Sequence, residues 1–173
     1  DWLRDAVTTL SELGLKPHTI SLGGTPDMWF EWPSDLVTEY RPGTYVYMDR
    51  SQVAVGAASF ADCALSVLAT VVSRPTDRRI IIDAGSKALT SDLLGQVGYG
   101  HVPEFPHAII TSLSEEHGIV ELPSPSARPQ IGARIEIVPN HACPVSNLFD
   151  RVHFTRRGHL VDSVDVAARG KVS

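Results

Sequence analysis

Two residues of metal-binding type stand two positions apart in the last quarter of the chain. His141 and Cys143 lie in the stretch PNHACP, directly after the β-rich run IGARIEIV. Side chains two positions apart on an extended chain point to the same face, so an imidazole and a thiolate placed in this way can reach one ion. Zinc is the metal that this pair of donors suits best. Two donors are fewer than a zinc site needs, and the same spacing also arises by chance in a plain turn.

A glycine turn is the second segment that could do chemistry. The stretch GGTP, residues 23–26, follows a short apolar run. Glycines at such a place let backbone N–H groups approach an anion, and the hydroxyl of Thr25 adds a donor. Gly24 and Thr25 are therefore candidates for binding a phosphate group. A plain turn at the end of a strand accounts for the same four residues.

Two further stretches bring charged residues together. DAGSKAL, residues 83–89, places Lys87 near a carboxylate and a glycine turn, as in a site with a nucleophilic amine. A structural turn with a solvated or paired lysine is the alternative. SEEHG, residues 114–118, collects two glutamates and His117, but neighbours on a strand point to opposite faces. We therefore interpret SEEHG as the polar turn of a hairpin rather than as a metal or acid–base cluster.

The first 40 residues have the pattern of an α/β unit. Apolar residues in DWLRDAVTTLSELGLKP recur at helical spacing, which predicts a surface helix that Gly14 and Pro17 end. The segment 18–22, HTISL, then predicts a short buried strand that runs into GGTP. A single helix–strand unit cannot cover both faces of its strand. We therefore expect a packing partner that this sequence does not contain.

The pattern changes to short β-strands after Tyr40. Alternating or β-branched runs separated by Pro- and Gly-containing turns predict at least six strands. The candidate strands lie at 44–49, 64–73 and 78–86, twice within 107–122, and at 133–143 and 158–170. Many short strands of this kind are typical of an antiparallel barrel or sandwich. The stretch PSPSARPQ, 123–130, is predicted to be a loop from its composition.

Composition and charge restrict the class of protein and its partners. The chain has 173 residues, of which 43% are hydrophobic and 20% charged, with a net charge of −5. This balance indicates a soluble globular protein of one domain, or one domain and part of another. No run of lysine and arginine provides the basic face that nucleic acid requires. Two cysteines are too few for a disulfide scaffold, so we expect a reduced, cytoplasmic protein, although the sequence is compatible with a Cys63–Cys143 disulfide.

One apolar run has the length of a membrane span. Residues 53–72 are mostly apolar, but Asp62 stands at their centre. A carboxylate at mid-membrane costs about 2.5–3.5 kcal/mol, so we predict no membrane helix. The chain opens on Asp1 without the basic and apolar regions of a signal peptide and without an initiator methionine. It is therefore expected to be a processed chain or a piece of a longer one.

Six motifs, taken in order along the chain, carry a resemblance to a known family. GGTP, RPGTYVYMD, DAGSKAL, SEEHG, PNHACP and ARGK resemble the C-terminal half of the D-serine dehydratase and D-threonine aldolase family. These are pyridoxal-phosphate enzymes of the alanine-racemase type, in which a TIM-like barrel precedes a β domain. The resemblance covers essentially the whole chain. It implies that residues 1–40 are the last helix and strand of such a barrel and that residues 41–173 form a mostly β, antiparallel C-terminal domain carrying the metal motif.

The resemblance also implies roles for particular residues. Gly24 and Thr25 match the turn that helps to hold the phosphate of pyridoxal 5'-phosphate. His141 and Cys143 match the metal ligands of the dehydratase branch, in which zinc lies beside the cofactor. The Schiff-base lysine of the family belongs to the first barrel strand, which this sequence does not contain. No catalytic residue is therefore assigned, and Lys87 is not expected to be one.

The implied activity is that of a lyase. A full-length enzyme of this kind would act on a small D-amino acid with a β-hydroxyl and eliminate that group, as a D-serine dehydratase does, to give a keto acid and ammonia. The alternatives are the retro-aldol cleavage of a D-threonine aldolase, or a non-catalytic β-domain module with an incidental H-x-C. The aldolase branch resembles His-x-Asp with a harder metal, so Cys143 favours elimination. We expect the full-length protein to be a homodimer and the 173-residue chain alone to be inactive.

Overall fold

The computed structural model describes residues 2–31, 35–124 and 129–171. It divides into two compact units, Asp1–Val46 and Tyr47–Ser173. Part of the loop predicted at 123–130 lies outside the described residues. No helix in the described part of the chain is long and apolar enough to cross a bilayer.

The first unit begins with the predicted helix. Helix α1 spans Trp2–Glu12. Gly14 has φ +76°, and the N–H groups of Gly14 and Leu15 donate to the carbonyls of Ser11 and Leu10 at 3.0 and 2.9 Å. This pair of bonds is a Schellman motif, which needs a residue in the left-handed conformation and explains why the helix ends before the glycine.

The strand predicted at 18–22 is shorter than expected. Strand β1 is Ser21–Leu22 and pairs in parallel with β2, Glu39–Tyr40. Between them, a 3-10 turn spans Thr25–Trp29 and begins directly after Gly24. The GGTP segment is thus a turn at the end of a strand, as predicted.

The second unit is built on one antiparallel sheet. Its five strands are β3 Val67–Thr76, β4 Arg79–Ile82, β5 Ile109–Leu113, β6 Gly118–Glu121 and β7 Arg134–Ile137. Their order across the sheet is β5-β6-β4-β3-β7, and every neighbouring pair is antiparallel. In the described residues β5 and β7 are not paired with each other, so the predicted antiparallel β domain takes the form of a curled half-barrel sheet.

Alternation along the strands places one face of the sheet in the core. In β7 the buried residues alternate with exposed ones, and β4 follows the same pattern. The largest fully buried side chains on this face come from different strands: Val71, Ile80, Ile82, Ile110, Val120 and Ile137. Burial of these branched side chains, at about 25 cal/mol per Å² of apolar area, is the main stabilising term of the unit.

Three short helices and a separate hairpin complete the second unit. Helix α2 is Arg50–Ala54, α3 is Ser86–Leu89 and α4 is Ala142–Leu148. Strands β8, Arg151–Arg156, and β9, His159–Asp165, form a two-stranded hairpin. Arg157 and Gly158 connect them with φ +53° and +76°, the conformation of a two-residue hairpin turn of type I′.

Most strand predictions are confirmed and one is wrong. The segments that predicted β3 to β7 and β9 all contain strands, whereas β8 was not predicted. The alternating run at 44–49 is not a strand: Thr44–Val46 is a 3-10 turn and Met48 has φ +50°. Directly after this run, Asp49 caps α2 by accepting the N–H of Gln52, so the chain continues as a helix.

Candidate functional site

The segment after β7 carries the two predicted metal ligands. His141 is the N-cap of α4, with φ −138° and ψ 103°, and Ala142 is the first helical residue. Cys143 therefore lies in the first turn of a helix, so the prediction that the pair occupies an extended chain is wrong. Pro144, the third helical residue, is compatible with this turn because no intrahelical bond requires its N–H there. The alternation of an extended chain therefore no longer places the two side chains on one face, and ligation of one ion by His141 and Cys143 remains a prediction.

The buried carboxylate of Asp49 explains why a helix begins at Ala142. Asp49 is fully buried. Its Oδ2 accepts the N–H of Ala142 at 2.8 Å, and its Oδ1 accepts the N–H of Gln52 and the hydroxyl of Ser51 at 3.1 and 2.6 Å. One carboxylate thus joins the starts of α2 and α4. It also satisfies a backbone donor that the new helix would otherwise leave unpaired.

A second carboxylate contacts the imidazole of His141. Nδ1 of His141 lies 2.8 Å from Oδ2 of Asp92, and the two side chains are 32% and 44% exposed. Since a carboxylate can only accept, the proton of the ring lies on Nδ1 in this contact. In the neutral ring, Nε2 then carries the lone pair, and a neutral imidazole is the form of histidine that binds metals.

The backbone of Asp92 is held by the residue that precedes His141. Nδ2 of Asn140 donates to the carbonyls of Asp92 and Gly98 at 3.0 and 2.9 Å. Thr90, two residues before Asp92, has φ +63° and ψ 175°, a region almost reserved for glycine that costs about 1–3 kcal/mol. The loop from Thr90 to Gly98 is therefore held in a strained conformation by groups outside it.

Arg50 provides the other contacts that hold this loop. Its Nη2 donates to the carbonyl of Val97 at 2.9 Å, and its Nη1 donates to the carbonyl of Gly98 at 3.2 Å and to Oδ1 of Asn140 at 3.0 Å. Burial lowers the pKa of Arg50, although its charge is retained because the ordinary pKa of a guanidinium is so high. A charged donor shared between carbonyls forms stronger hydrogen bonds than a neutral one.

Sequence analysis missed four of the residues that build this site. Asp49 and Asn140 lie in segments that the sequence assigned to strands, whereas Arg50 and Asp92 lie in segments to which it assigned no element. Asp49 followed three positions later by Gln52 could have been recognised as a helix-capping pair. Asp92 gives no local signal, because its partner His141 is remote in sequence.

The thiol of Cys143 is exposed, whereas that of Cys63 is half-buried, and the two are not joined by a disulfide. Within the described ranges, no group of three or more histidine, cysteine, aspartate or glutamate side chains is placed to hold a metal. The imidazole of His141 and the thiol of Cys143 remain the predicted metal donors. They are chemically suited to zinc, and two protein donors leave positions open for other ligands.

In the first unit, the predicted phosphate turn lines a cavity of about 250 Å³. Its lining residues are Gly23, Gly24, Asp27, Met28, Phe30, Tyr40 and Pro42. Gly23 has φ +89°, so only a glycine forms this turn without strain. Thr25 is 3% exposed, and its hydroxyl accepts the N–H of Tyr45 at 2.9 Å. Gly24 thus lines the cavity, whereas Thr25 does not and has a structural role, and the carboxylate of Asp27 is also in the lining. Binding of a phosphate by Gly24 and Thr25 stays a prediction.

The DAGSKAL and SEEHG segments contact each other. The N–H groups of Ser86 and Lys87 donate to the carbonyls of Ser114 and Glu115 at 2.8 and 3.1 Å. Nζ of Lys87 donates to Glu116 at 2.6 Å, and this hydrogen bond raises the pKa of Lys87. The raised pKa keeps the amine protonated, which argues against a nucleophilic role. Residues 114–117 form the turn between β5 and β6, so the hairpin interpretation of SEEHG is confirmed.

Comparisons with solved structures define the class of fold. An alanine-racemase-like protein from Idiomarina loihiensis superposes with a TM-score of 0.76 at 29% identity, over 87% of this chain and 44% of that one. D-threo-3-hydroxyaspartate dehydratase from Delftia sp. HT23 gives a TM-score of 0.79 at 30% identity, over 95% of this chain and 48% of that one. Solved forms of this dehydratase include a variant in which a histidine is replaced by alanine, and a metal-free variant in which the cysteine two positions later is replaced by alanine. The fold is thus that of the alanine-racemase-like enzymes.

Sequence comparisons then give the family. The family described as "Putative serine dehydratase domain" matches residues 64–155, and the chain belongs to it. This chain is 35% identical to a D-threonine aldolase of Arthrobacter sp. over 93% of its own length. It is 32% identical to the D-serine dehydratase of Dictyostelium discoideum over 83% of this chain. The matched parts are 42% and 41% of those two enzymes, so this chain spans less than half of either.

Proposed function

We propose that this chain is the C-terminal part of a metal-activated, pyridoxal-phosphate-dependent lyase that acts on D-amino acids carrying a β-hydroxyl. The single observation that carries the proposal is the environment of His141. Its ring is held through Nδ1 by Asp92 at 2.8 Å, and an exposed thiol follows two residues later. The family comparison supports this, since a dehydratase relative has been solved with a histidine replaced, and, in a metal-free form, with the cysteine two positions later replaced.

Each candidate residue of this chain would have a separate role in the reaction. Nε2 of His141 and the thiolate of Cys143 would hold zinc, a Lewis acid that would draw electron density from the β-oxygen of the substrate and so help it to leave. Backbone N–H groups at Gly24 and the hydroxyl of Thr25 would contact the cofactor phosphate. Pyridoxal phosphate, when bound, supplies an electron sink for the charge that develops on the α-carbon. Asp92, Asn140 and Arg50 would keep the His141 ring in place.

The missing part of the enzyme would complete the first unit. Apolar side chains of α1 and the segment after it are exposed, with Trp2 at 75%, Leu13 at 70% and Leu15 at 57%. An amphipathic helix normally buries such a face. We propose that the remainder of a TIM-like barrel covers this face and supplies the Schiff-base lysine, and that the full-length enzyme is a homodimer.

Elimination is the reaction that the donor set favours. Cys143 is a soft ligand and suits zinc, whereas the aldolase branch resembles a site with a carboxylate and a harder metal. The overall change would remove the β-hydroxyl and the amino group of D-serine as water and ammonia, with one water returned to give the keto acid. Retro-aldol cleavage is the second candidate, because the Arthrobacter D-threonine aldolase is 35% identical over 93% of this chain.

The test uses protein expressed from the complete reading frame and loaded with pyridoxal phosphate and zinc. D-serine should yield pyruvate and ammonia, and D-threonine should not yield glycine and acetaldehyde at a comparable rate. His141→Ala and Cys143→Ala should each lose bound zinc and at least about 100-fold in kcat, while Cys63→Ala serves as the matched control. If Cys143→Ala keeps stoichiometric zinc and the wild-type rate, the proposal is overturned, and faster cleavage of D-threonine would assign the aldolase reaction instead.

A further inference from the structure

We propose that Asp92 is a positioning residue for metal binding, which orients the imidazole of His141 through Nδ1 and is itself locked in place by Asn140. This inference rests on the proposed role of His141 as a metal ligand. It assigns a function to the 90–98 loop, which has no part in the sequence motifs. The loop would be the part of the chain that decides whether Nε2 of His141 faces a metal.

Asn140 and His141, which are consecutive in the sequence, contact the backbone carbonyl and the side-chain carboxylate of Asp92. The ring of His141 contacts the Asp92 carboxylate at 2.8 Å, and the side chain of Asn140 donates to the Asp92 carbonyl at 3.0 Å. The position of the carboxylate relative to the ring is therefore fixed by the backbone that carries the ring. A carboxylate on a mobile surface side chain would have no fixed position relative to the ring.

The rest of the loop is anchored so that this arrangement cannot relax easily. The N–H of Asp92 donates to the hydroxyl of Thr90 at 3.2 Å, and Thr90 has a φ of +63°. At the other end, Arg50 donates to the carbonyls of Val97 and Gly98. A β-branched residue with positive φ is rare, and such conformations persist only where the surroundings enforce them. Here the N–H of Thr90 donates to the carbonyl of Ser86 at 3.0 Å. Asn140 and Arg50 hold the loop beyond it, at Asp92, Val97 and Gly98.

A hydrogen bond as exposed as that between Asp92 and His141 contributes little to folding stability, since water competes for both groups. Its effect on metal binding is larger, because a carboxylate on the far nitrogen fixes the tautomer and direction of a ligating ring and makes it a stronger donor. Direct ligation by Asp92 is a different role. The contact of Oδ2 with Nδ1 places Asp92 on the side of the ring opposite to Nε2, so the geometry points to support of the ligand.

The experiment measures metal affinity and not turnover. The metal-free full-length protein is titrated with cobalt(II), and the thiolate-to-cobalt absorption reports site occupancy; zinc affinity follows by competition. Asp92→Ala should weaken binding about 10- to 100-fold, and Asp92→Asn, which keeps an acceptor oxygen, should weaken it less than tenfold. Asp165→Ala, which removes an exposed carboxylate paired with Arg151, is the matched control and should not change affinity.

A double-mutant cycle separates positioning from a general structural role. In a His141→Ala background, Asp92→Ala should have no further effect on the residual affinity, because Asp92 acts only through the ring. An equal loss in both backgrounds, or no loss in the wild-type background, would overturn the inference. If His141→Ala and Cys143→Ala themselves keep wild-type affinity, the proposed metal site fails and the inference fails with it. If Asp92→Ala does not fold, the effect of Asp92→Asn on metal affinity is compared in the wild-type and His141→Ala backgrounds instead.

Discussion

Oδ1 of Asn140 lies 3.0 Å from Nη1 of Arg50, and this contact fixes the orientation of a buried amide. Asn140 is 1% exposed, and its Nδ2 donates to two carbonyls. The opposite orientation of the amide would direct its N–H groups at the guanidinium and its oxygen at the carbonyls. Only one orientation therefore satisfies all three partners, and Asn140 connects α2 to the 90–98 loop.

Asn140→Ala is expected to lower the free energy of unfolding by about 1–3 kcal/mol, because it removes a donor from the half-buried carbonyls of Asp92 and Gly98 and an acceptor from the guanidinium of Arg50. Equilibrium unfolding in urea measures the change. Asn147→Ala is the control: Asn147 is exposed and accepts one hydrogen bond, from the N–H of Gly170, so its loss should cost less than about 1 kcal/mol. A value for Asn140→Ala within 0.5 kcal/mol of wild type, taken as about the error of such data, would contradict this role.

Gly85→Ala tests the contact between DAGSKAL and SEEHG. A Cβ at residue 85 would lie 2.4 Å from the carbonyl oxygens of both Ser114 and Glu115, and these backbone atoms cannot move away without opening the hairpin turn. We expect a loss of about 2 kcal/mol or more in unfolding free energy. Gly43→Ala, which meets nothing within 4 Å, should be neutral or slightly stabilising. Equal effects of the two substitutions would show that the two segments are not in tight contact.

The two cysteines should differ in their reaction with iodoacetamide. Burial, with smaller contributions from Asp49 and Asp62, raises the pKa of Cys63 to about 11, so at pH 8 little of its reactive thiolate is present. Its labelling rate should be slow and should rise roughly tenfold per pH unit. Cys143 is exposed and should label quickly without metal and slowly with zinc. Mass spectrometry of the digested protein follows both residues, and rapid labelling of Cys143 at saturating zinc would argue against ligation.

His101 should make the fold sensitive to mild acid. Its ring stacks on Phe60 with centroids 3.8 Å apart, and burial, followed by the charge of Arg50, lowers its pKa from the ordinary 6.5. The folded state therefore binds a proton more weakly than the unfolded chain does. The neutral His101 ring therefore contributes fully to stability at pH values above its pKa in the unfolded chain. This contribution is lost as the pH falls through its lower pKa in the folded state.

Urea midpoints measured between pH 7.5 and pH 5, a range that spans the ordinary histidine pKa, should decrease with acidity in the wild-type protein. The decrease should be smaller in His101→Phe, which keeps an aromatic ring against Phe60. His153→Gln, which alters an exposed histidine on β8, should keep the wild-type dependence. An unchanged slope in His101→Phe would assign the acid sensitivity to other groups.

Patterns within a segment predicted most of the sheet, while contacts between distant segments determined the rest. Strand β7 was predictable because its apolar residues alternate. The helix after it was not, because Ala142 begins a helix through a bond to Asp49, far away in sequence. The same reason explains the site: His141 and Cys143 were found from their types and spacing, whereas Asp92 becomes meaningful only when the fold brings it to His141.

The pairing of β7 with β3 determines when this site can form. Val67 pairs with Ile137, while β3 and β4, and β5 and β6, are hairpins of adjacent strands. Closing a long loop costs more entropy than forming a hairpin, so the β3–β7 pairing is expected to form late in folding. His141 follows β7 directly and should meet Asp92 only after that step. Zinc would then bind a site absent from the folding transition state, so we expect it to slow unfolding and to leave the refolding rate unchanged.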